Sequence, residues 1–354
     1  MTTIGVVGAG TMGAGIAQVA LEAGDDVLLH DVDAAAVDGA VARIRAGLAR
    51  SAARLDLDAD SIDDWVDGRI QGLRTAATLG AVAGAATVVI EAALEDLGAK
   101  RSVFGALDAA AGPTTILATN TSALSVAAIA AATSRPDRVL GLHFFNPVPR
   151  MPLVEVVLTE TTDPAVADAA EALVTAWGKT PVRCADTPGF IVNRVNRPFT
   201  IEALRLLEAG DASVEAIDAA MRDGGFPMGP FELMDLIGID VNLAAATSVW
   251  EGLGRPHRLR PSPIQEGLVA AGRLGRKTGD GFYRYEDGRS TAVAIHAPVS
   301  GTLTAAAIRA RIVDAIADEA RRAAAEGIAT PADIELALRL GAGHPETAAG
   351  NRSA

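Results

Sequence analysis

The sequence predicts an α/β architecture, a doubly wound parallel sheet followed by an all-α domain and a partial second helical repeat. Three observations carry this. Short apolar strands alternate with alanine-rich helical stretches through the first half of the chain; beyond residue 185 apolar residues recur at helical spacing only; and residues 304–345 repeat the pattern found 117 positions earlier.

Taken in order, residues 4–7 and 27–30 are short apolar strands, separated by a glycine-rich turn and a helix-compatible run over 14–23. Residues 87–90, 114–118, 139–142 and 153–158 continue the strand character. From residue 190 to about 249 no strand is legible, so a sheet domain of residues 1–185 and a helical domain of 186–285 are expected. Residues 286–303 have little pattern and are expected to be a linker; 346–354 are expected to be a frayed tail. A shift of 117 positions aligns Arg194 with Arg311, Glu202 with Glu319, Arg205 with Arg322, Gly210 with Gly327, Ile217 with Ile334 and Gly224 with Gly341. On that alignment residues 304–345 are a partial repeat of the helical domain.

Composition removes several classes of function. At 354 residues and 49% apolar content the chain can bury two cores. A net charge of −13 argues against a nonspecific hold on nucleic acid or anionic lipid, so any anionic ligand needs a local positive pocket. The single cysteine, Cys184, allows no internal disulfide and no thiolate metal cage, and no metal site is expected. Neither a signal peptide nor a membrane-spanning run is legible, and a cytoplasmic, soluble protein is expected.

The stretch "IGVVGAGTMGAG" sets Gly8, Gly10 and Gly13 in G-x-G-x-x-G spacing between a strand and a helix. The first glycine permits a tight turn, the second lets amides approach a pyrophosphate, and the third allows close helix–strand packing. Thr11 and Met12 open the helix, whose N-terminal amides and partial positive charge suit phosphates. Asp31 ends the next strand 18 residues beyond Gly13, where a carboxylate accepts from ribose hydroxyls and repels a 2′-phosphate. With no arginine in the ten residues after it, NAD is expected over NADP.

Polar residues then stand at strand ends, where ligands of an open α/β sheet bind. Ser122 follows one strand in "ATNTSALS" and His143 follows another in "GLHFFNPVPRMPLVEVV", with Glu155 twelve residues on. A neutral imidazole is suited to take a hydroxyl proton near neutrality, and a carboxylate on its other nitrogen fixes the tautomer. Singly, His143 reads more readily as a structural residue, Glu155 as a surface residue, and Ser122 and Asn193 as turn and helix-cap residues; the combination carries the weight.

Eight strings, "GAGTMGAG", "VIEAALED", "TNTSALS", "GLHFFNP", "PLVEVV", "PGFIVNR", "FPMGPFELMDLIGID" and "LGRKTGDGFYRY", resemble in this order the L-3-hydroxyacyl-CoA dehydrogenase family, over about residues 1–285. The resemblance implies a Rossmann-type first domain, NAD as cofactor, an acyl-CoA substrate and a homodimer. It places the catalytic histidine on His143, its paired glutamate on Glu155, the active-site serine on Ser122 and the asparagine on Asn193. The glutamate of the strand-end "EA" falls on Glu91, near the nicotinamide. Bacterial relatives suggested by "VNRPFTIEALRLLEAG" act on short-chain or dicarboxylic hydroxyacyl-CoAs, including hydroxyadipyl-CoA.

Arg43, Arg45, Arg50 and Arg54 are candidates for the coenzyme A phosphates, or else a solvated helix face. Arg150, where the family has an aliphatic residue, is a candidate for a distal carboxylate. Two other readings stay open: a dehydrogenase of a free hydroxy acid such as gulonate, and a noncatalytic, crystallin-like protein on the same fold.

Overall fold

The computed structural model describes residues 2–55, 58–295, 301 and 303–346. The chain divides into two units, Met1–Asp186 and Thr187–Ala354.

In the first unit β1 (Thr3–Val7), α1 (Thr11–Ala23) and β2 (Asp26–His30) form the opening β-α-β turn, followed by α2 (Ala34–Ala52), α3 (Ala59–Ile70) and β3 (Leu73–Thr75). Next come α4 (Leu79–Ala85), β4 (Val88–Glu91), α5 (Leu97–Asp108), β5 (Ile116–Thr119), α6 (Val126–Ala130) and β6 (Val139–Phe144). β7 (Leu153–Leu158), α7 (Pro164–Ala176) and β8 (Thr180–Ala185) complete it. One eight-stranded sheet runs in the order β3-β2-β1-β4-β5-β6-β7-β8. Its strands are buried on both faces, as the continuous apolar runs require: Ile4, Val6, Leu29, Val89, Ile90, Leu140, Leu142, Val154 and Val156 are fully enclosed. Polar caps start the helices, with Asp33 accepting from the Ala35 amide at α2 and Asp96 from Ala99 at α5. Pro164 opens α7, where a missing N–H costs nothing.

The expected parallel sheet is corrected at one place: β7 runs antiparallel to β6, and β8 then runs parallel to β7. Two strands were not legible in advance. β3 is three residues at the sheet edge with two of them exposed, too short for a pattern. β8 contains Pro181, which an edge strand tolerates because its missing N–H faces no neighbour.

The second unit contains α8 (Val192–Val195), α9 (Arg197–Glu208), α10 (Val214–Asp223), α11 (Pro230–Ile237), α12 (Ile239–Gly252) and α13 (Pro263–Ala270). A two-stranded hairpin, β9 (Tyr283–Glu286) and β10 (Arg289–Val293), follows, then α14 (Ala305–Ala325) and α15 (Pro331–Ala342). The hairpin corrects the linker expected over residues 286–303, since pairing across the Asp287-Gly288 turn orders its first half. Residues 296–300 and 302 of that span, and 347–354 of the expected tail, lie outside the described residues.

Helix α14 packs on α8, α9 and α10, and α15 on α8. Ile308, Ile312, Ile316, Ile334 and Leu338 are all buried there. α9 and α14 each end before a glycine in the left-handed region, Gly210 at φ +67° and Gly327 at φ +76°. Ser213 and Thr330, 117 positions apart, then cap α10 and α15 through their hydroxyls. Across the packed helices Arg194 pairs with Glu319 and Arg311 with Glu202. The arginine of one pair is the 117-residue equivalent of the arginine of the other, and likewise for the glutamates. This is the reciprocity of an isologous contact, realised within one chain.

Just after α15, His344 is buried against the rings of Phe226 and Phe199, with Nε2 2.8 Å from Asn196 Oδ1 and no hydrogen-bond partner at Nδ1 among the described residues. Burial pushes its pKa down from 6.5 to about 4, so the folded chain holds a neutral ring where the unfolded chain takes up a proton. The unfolded state binds more protons between those limits, and stability therefore rises with pH across the window. The melting temperature is expected to fall as the pH is lowered from 6.5 towards 4, and to fall less in His344→Gln, which keeps a polar partner for Asn196 but does not titrate. Parallel melting curves of the two proteins at pH 7 and 4.5 check this; equal acid sensitivity would rule it out.

Candidate active site

The strand order reverses at β1, flanked by β2 and β4, and such a reversal leaves a crevice beyond the strand ends. The glycine loop occupies this crevice. Gly8 has φ +102°, and a Cβ there would lie 2.5 Å from the Ala92 carbonyl oxygen. At Gly13 a Cβ would lie 1.8 Å from the Gly8 oxygen, so both positions exclude any side chain. At Gly10 the same position has no atom within 4 Å. Gly10 also begins α1 with no capping side chain and no acid in its first turn. Open space in front of an uncapped helix N-terminus, bordered by Gly8, Gly10, Thr11, Met12 and Gly13, fits a cofactor pyrophosphate.

Asp31 stands beside that loop. Its carboxylate accepts from the Ala9 amide (2.7 Å) and the Asp33 amide (3.0 Å), which clasps the end of β2 to the turn and suits contact with a ribose. Arg43 donates to the Ala9 carbonyl at 2.7 Å. A ten-residue window after Asp31 misses Arg43, because α2 carries it back to the loop from further along the chain.

The catalytic end is built by the antiparallel pair. β6 and β7 place His143 directly opposite Glu155, and Nδ1 lies 2.6 Å from Glu155 Oε2. Both are buried, at 6% and 0% exposure, and Phe145 packs tilted against the imidazole, with ring centres 4.6 Å apart and 52° between the planes. The buried carboxylate accepts from Nδ1–H, which puts the lone pair on Nε2, the arrangement of an oriented general base. The proline-bent loop joining the strands is held from beneath by Lys179, whose ammonium donates to the carbonyls of Val148 (2.6 Å) and Met151 (2.8 Å).

Ser122 is held by a residue that the sequence did not single out. Its amide (2.9 Å) and hydroxyl (3.3 Å) donate to Glu95, as does the Thr121 hydroxyl (2.7 Å). Burial opposes ionisation of Glu95, but Thr121, the Lys100 ammonium and the Ser122 amide outweigh it and hold the carboxyl below its usual value. Asn120 adds a second unforeseen tie, accepting from the Phe144 amide at 2.8 Å and so joining the serine loop to the strand of His143. Glu91 ends β4. Its fully enclosed carboxylate accepts from Lys100 Nζ (2.6 Å), Thr119 (2.8 Å) and the Ala93 amide (2.7 Å). Through Lys100, which also pairs with Glu95 at 3.3 Å, these bonds connect Glu91 to the carboxylate that holds Ser122. The signal was present in "EAALEDLGAK", where the second acid stands in the turn after the strand and the lysine near the start of the next helix.

A pocket of about 380 Å³ in the first unit is lined by Thr11, Gln18, Arg43, Arg50, Arg54 and Arg150, among others, with no carboxylate in its wall among the described residues. Arg43, Arg50 and Arg54 follow at spacings of 7 and 4, one face of α2 and its extension. Arg45 points elsewhere, to Asp67 at 2.9 Å on an exposed surface, and leaves the candidate set. Arg150 joins the α2 arginines instead of standing alone at the end of an acyl site.

In the second unit Asn193 is half-buried on α8 between the buried Val192 and Arg194. Among the described residues no cluster of three or more His, Cys, Asp or Glu could hold a metal ion, and no single helix is long and apolar enough to cross a membrane.

Comparison with known proteins bears on these features. Residues 3–187 match the family described as "3-hydroxyacyl-CoA dehydrogenase, NAD binding domain", and residues 189–285 match "3-hydroxyacyl-CoA dehydrogenase, C-terminal domain". The chain is 48% identical over 296 residues to a 3-hydroxyadipyl-CoA dehydrogenase of Escherichia coli, covering 83% of this chain and spanning 61% of that protein's length. It is 42% identical over 285 residues to a 3-hydroxybutyryl-CoA dehydrogenase of Mycobacterium tuberculosis, 80% of this chain and 98% of the relative. A crystal structure of a 3-hydroxybutyryl-CoA dehydrogenase from Escherichia coli superposes with a TM-score of 0.86 at 37% identity, over 96% of this chain and 88% of that one. With both domain matches contiguous and the glycine loop and histidine–glutamate pair in place, the chain belongs to the 3-hydroxyacyl-CoA dehydrogenase family, and its first unit is an NAD-binding domain of that family.

Proposed function

We propose that this protein oxidises the 3-hydroxyl of an L-3-hydroxyacyl-CoA to the 3-ketone, reversibly, with His143 as general base and Glu155 as its orienting partner. The observation that carries the reading is the buried Nδ1–carboxylate contact across β6 and β7. NAD, when bound, accepts the hydride from C3. The chain's own contribution is to orient and to move a proton. Nε2 of His143 takes the hydroxyl proton as the C3–H bond breaks, and in the reverse direction the imidazolium returns it. Ser122, braced by Glu95, hydrogen-bonds the reacting oxygen, and Asn193 positions the substrate near its thioester carbonyl. Gly8, Gly10, Thr11, Met12, Gly13 and Asp31 hold the cofactor.

The arginine pocket supports coenzyme A as the carrier. In a chain of net charge −13, a wall of four arginines is the local positive site that phosphates need. Arg150 belongs with them, and a distal acyl carboxylate would need a different partner. Short-chain and dicarboxylic acyl groups both remain within the reading, given the names of the relatives. We assign the protein to the cytoplasm and to a homodimer; exposed Leu236, Ile237 and Val241 supply an apolar surface for that contact. We read residues 304–345 as a partial duplication of the helical domain, supported by the reciprocal Arg–Glu pairs and the matching caps.

Initial rates of NAD reduction with 3-hydroxybutyryl-CoA, 3-hydroxyadipyl-CoA and free gulonate test the reading. Both thioesters are expected to turn over and gulonate to be poor. Arg50→Ala/Arg54→Ala is expected to raise KM for the thioester about tenfold, the worth of one charge-assisted contact, with KM for NAD unchanged. Efficient oxidation of gulonate would replace the acyl-CoA assignment.

A further inference from the structure

Asn193 sits on an element that cannot orient itself. α8 is a single turn of four residues, shorter than any helix that holds its own shape in water. It is entered through Gly189 at φ +81° and Phe190 at φ +48°, the latter an uncommon conformation for a residue with a side chain, kept only where surroundings impose it. The direction in which α8 presents Asn193 is therefore set by tertiary contacts.

The side-chain grip on the turn comes largely from the chain beyond residue 285, where the matched C-terminal domain ends, while α9 and α12 pack on α8 from within that domain. Arg194, immediately after Asn193, is fully buried. Its guanidinium donates from Nε to Glu319 (2.8 Å) and from both terminal nitrogens to Glu326 (2.6 and 2.9 Å), two carboxylates of α14 and the residue following it. Arg258 adds a second cation on Glu319 at 2.6 Å, so two arginines face two carboxylates and the cluster is neutral. On the other side of α8, Asn196 meets His344, beyond α15, at 2.8 Å. Within the turn, Arg197 donates to the Asn193 carbonyl at 3.1 Å. The reciprocal pair, Arg311 with Glu202, brackets no comparable residue, because Ala310 stands at the position equivalent to Asn193. Of the two ends of the pseudo-symmetric contact, only one carries an amide.

We propose that α14 and α15 are a positioning element for the substrate side of the site: Glu319 and Glu326 grip Arg194, His344 grips Asn196, and together they fix the turn that aims Asn193. The inference rests on the reading of Asn193 as a substrate-positioning residue. Arg194, Glu319 and Glu326 touch no reactant and act through Asn193 alone.

A double-mutant cycle separates this from a general contribution to stability. Glu326→Gln, at a half-exposed carboxylate, and Glu319→Gln are each expected to lower kcat/KM for 3-hydroxybutyryl-CoA about tenfold, the scale of a small misplacement of a substrate contact, with the NADH dissociation constant unchanged. Asn193→Ala is expected to lose more. Combined with Asn193→Ala, either Glu variant is expected to change kcat/KM by less than about twofold, since its target is gone. Arg194→Lys, keeping the charge but not the bidentate geometry, is expected to fall between wild type and the Glu variants, and it serves if Glu319→Gln does not fold. Losses that multiply in the Asn193→Ala background, or Glu variants that match wild type while Asn193→Ala is impaired, overturn the positioning role and leave the reaction assignment standing. Unimpaired turnover by Asn193→Ala removes the assignment of Asn193 and this inference with it.

Discussion

His143→Gln is expected to lower kcat by roughly 10²–10⁴-fold while leaving NADH affinity at its wild-type value. The loss is chemical because glutamine has no lone pair that can take a proton at neutral pH. The fold is spared because the position at the end of β6 opposite Glu155 is kept, and the amide can still donate to the carboxylate. The cofactor contacts are spared because the glycine loop, α1 and Asp31 are held by bonds that do not include His143. Glu155→Gln probes the other half of the pair. A carboxamide can donate to Nδ1 and so stabilise the wrong imidazole tautomer, and the expected loss is again large, of the order seen when the acid of a serine-protease triad is replaced by its amide. Single-turnover absorbance of NADH formation, with fluorescence titration of NADH for binding, reads the two quantities separately. A His143→Gln protein with near-normal kcat would move the general base to another residue.

How much of this was legible in the sequence differs from element to element. The glycine loop, Asp31 and the strand ends carrying Ser122 and His143 follow from local spacing, because a strand-turn-helix unit is specified over about twelve residues. The contact between His143 and Glu155 follows from the two strands flanking the proline-bent loop, although their antiparallel pairing breaks the alternation that suggested a uniformly parallel sheet. Glu95 escaped notice since its role depends on a loop folding back on "TNTS", a relation of 26 and 27 residues that no period records. The arginines show the same limit. All four on or near α2 looked equivalent, and only the helix face and Asp67 distinguish Arg45 from Arg43, Arg50 and Arg54. The repeat was visible as an alignment of like with like, Arg194 on Arg311 and Glu202 on Glu319. The structure pairs unlike with unlike, because packing two similar faces against each other crosses their charges.

Ending the chain after residue 301 is expected to cost more stability than any single substitution above. Two losses add. The first is electrostatic: the three guanidinium bonds of the buried Arg194 all go to Glu319 and Glu326, and truncation removes both while opening the arginine to water, so this part is smaller than the loss from breaking a pair that stays buried. The second is apolar: α9 is buried along almost its whole length, Phe199, Ile201, Leu204, Leu206 and Leu207 included, and α14 is one of the helices packed on it. At roughly 2–4 °C per kcal/mol for a chain of this size, a combined loss of about 3–5 kcal/mol lowers the melting temperature by about 10 °C. The uncovered face has a defined alternative, because Glu202 is the equivalent of Glu319 and a second truncated chain can offer it to Arg194 through an isologous contact. The truncated protein is therefore expected to melt lower and to recover part of the loss as its concentration rises, with a matching increase in size on gel filtration. A truncation that melts at the wild-type temperature and elutes unchanged at every concentration would show that α14 and α15 neither cover that face nor neutralise Arg194.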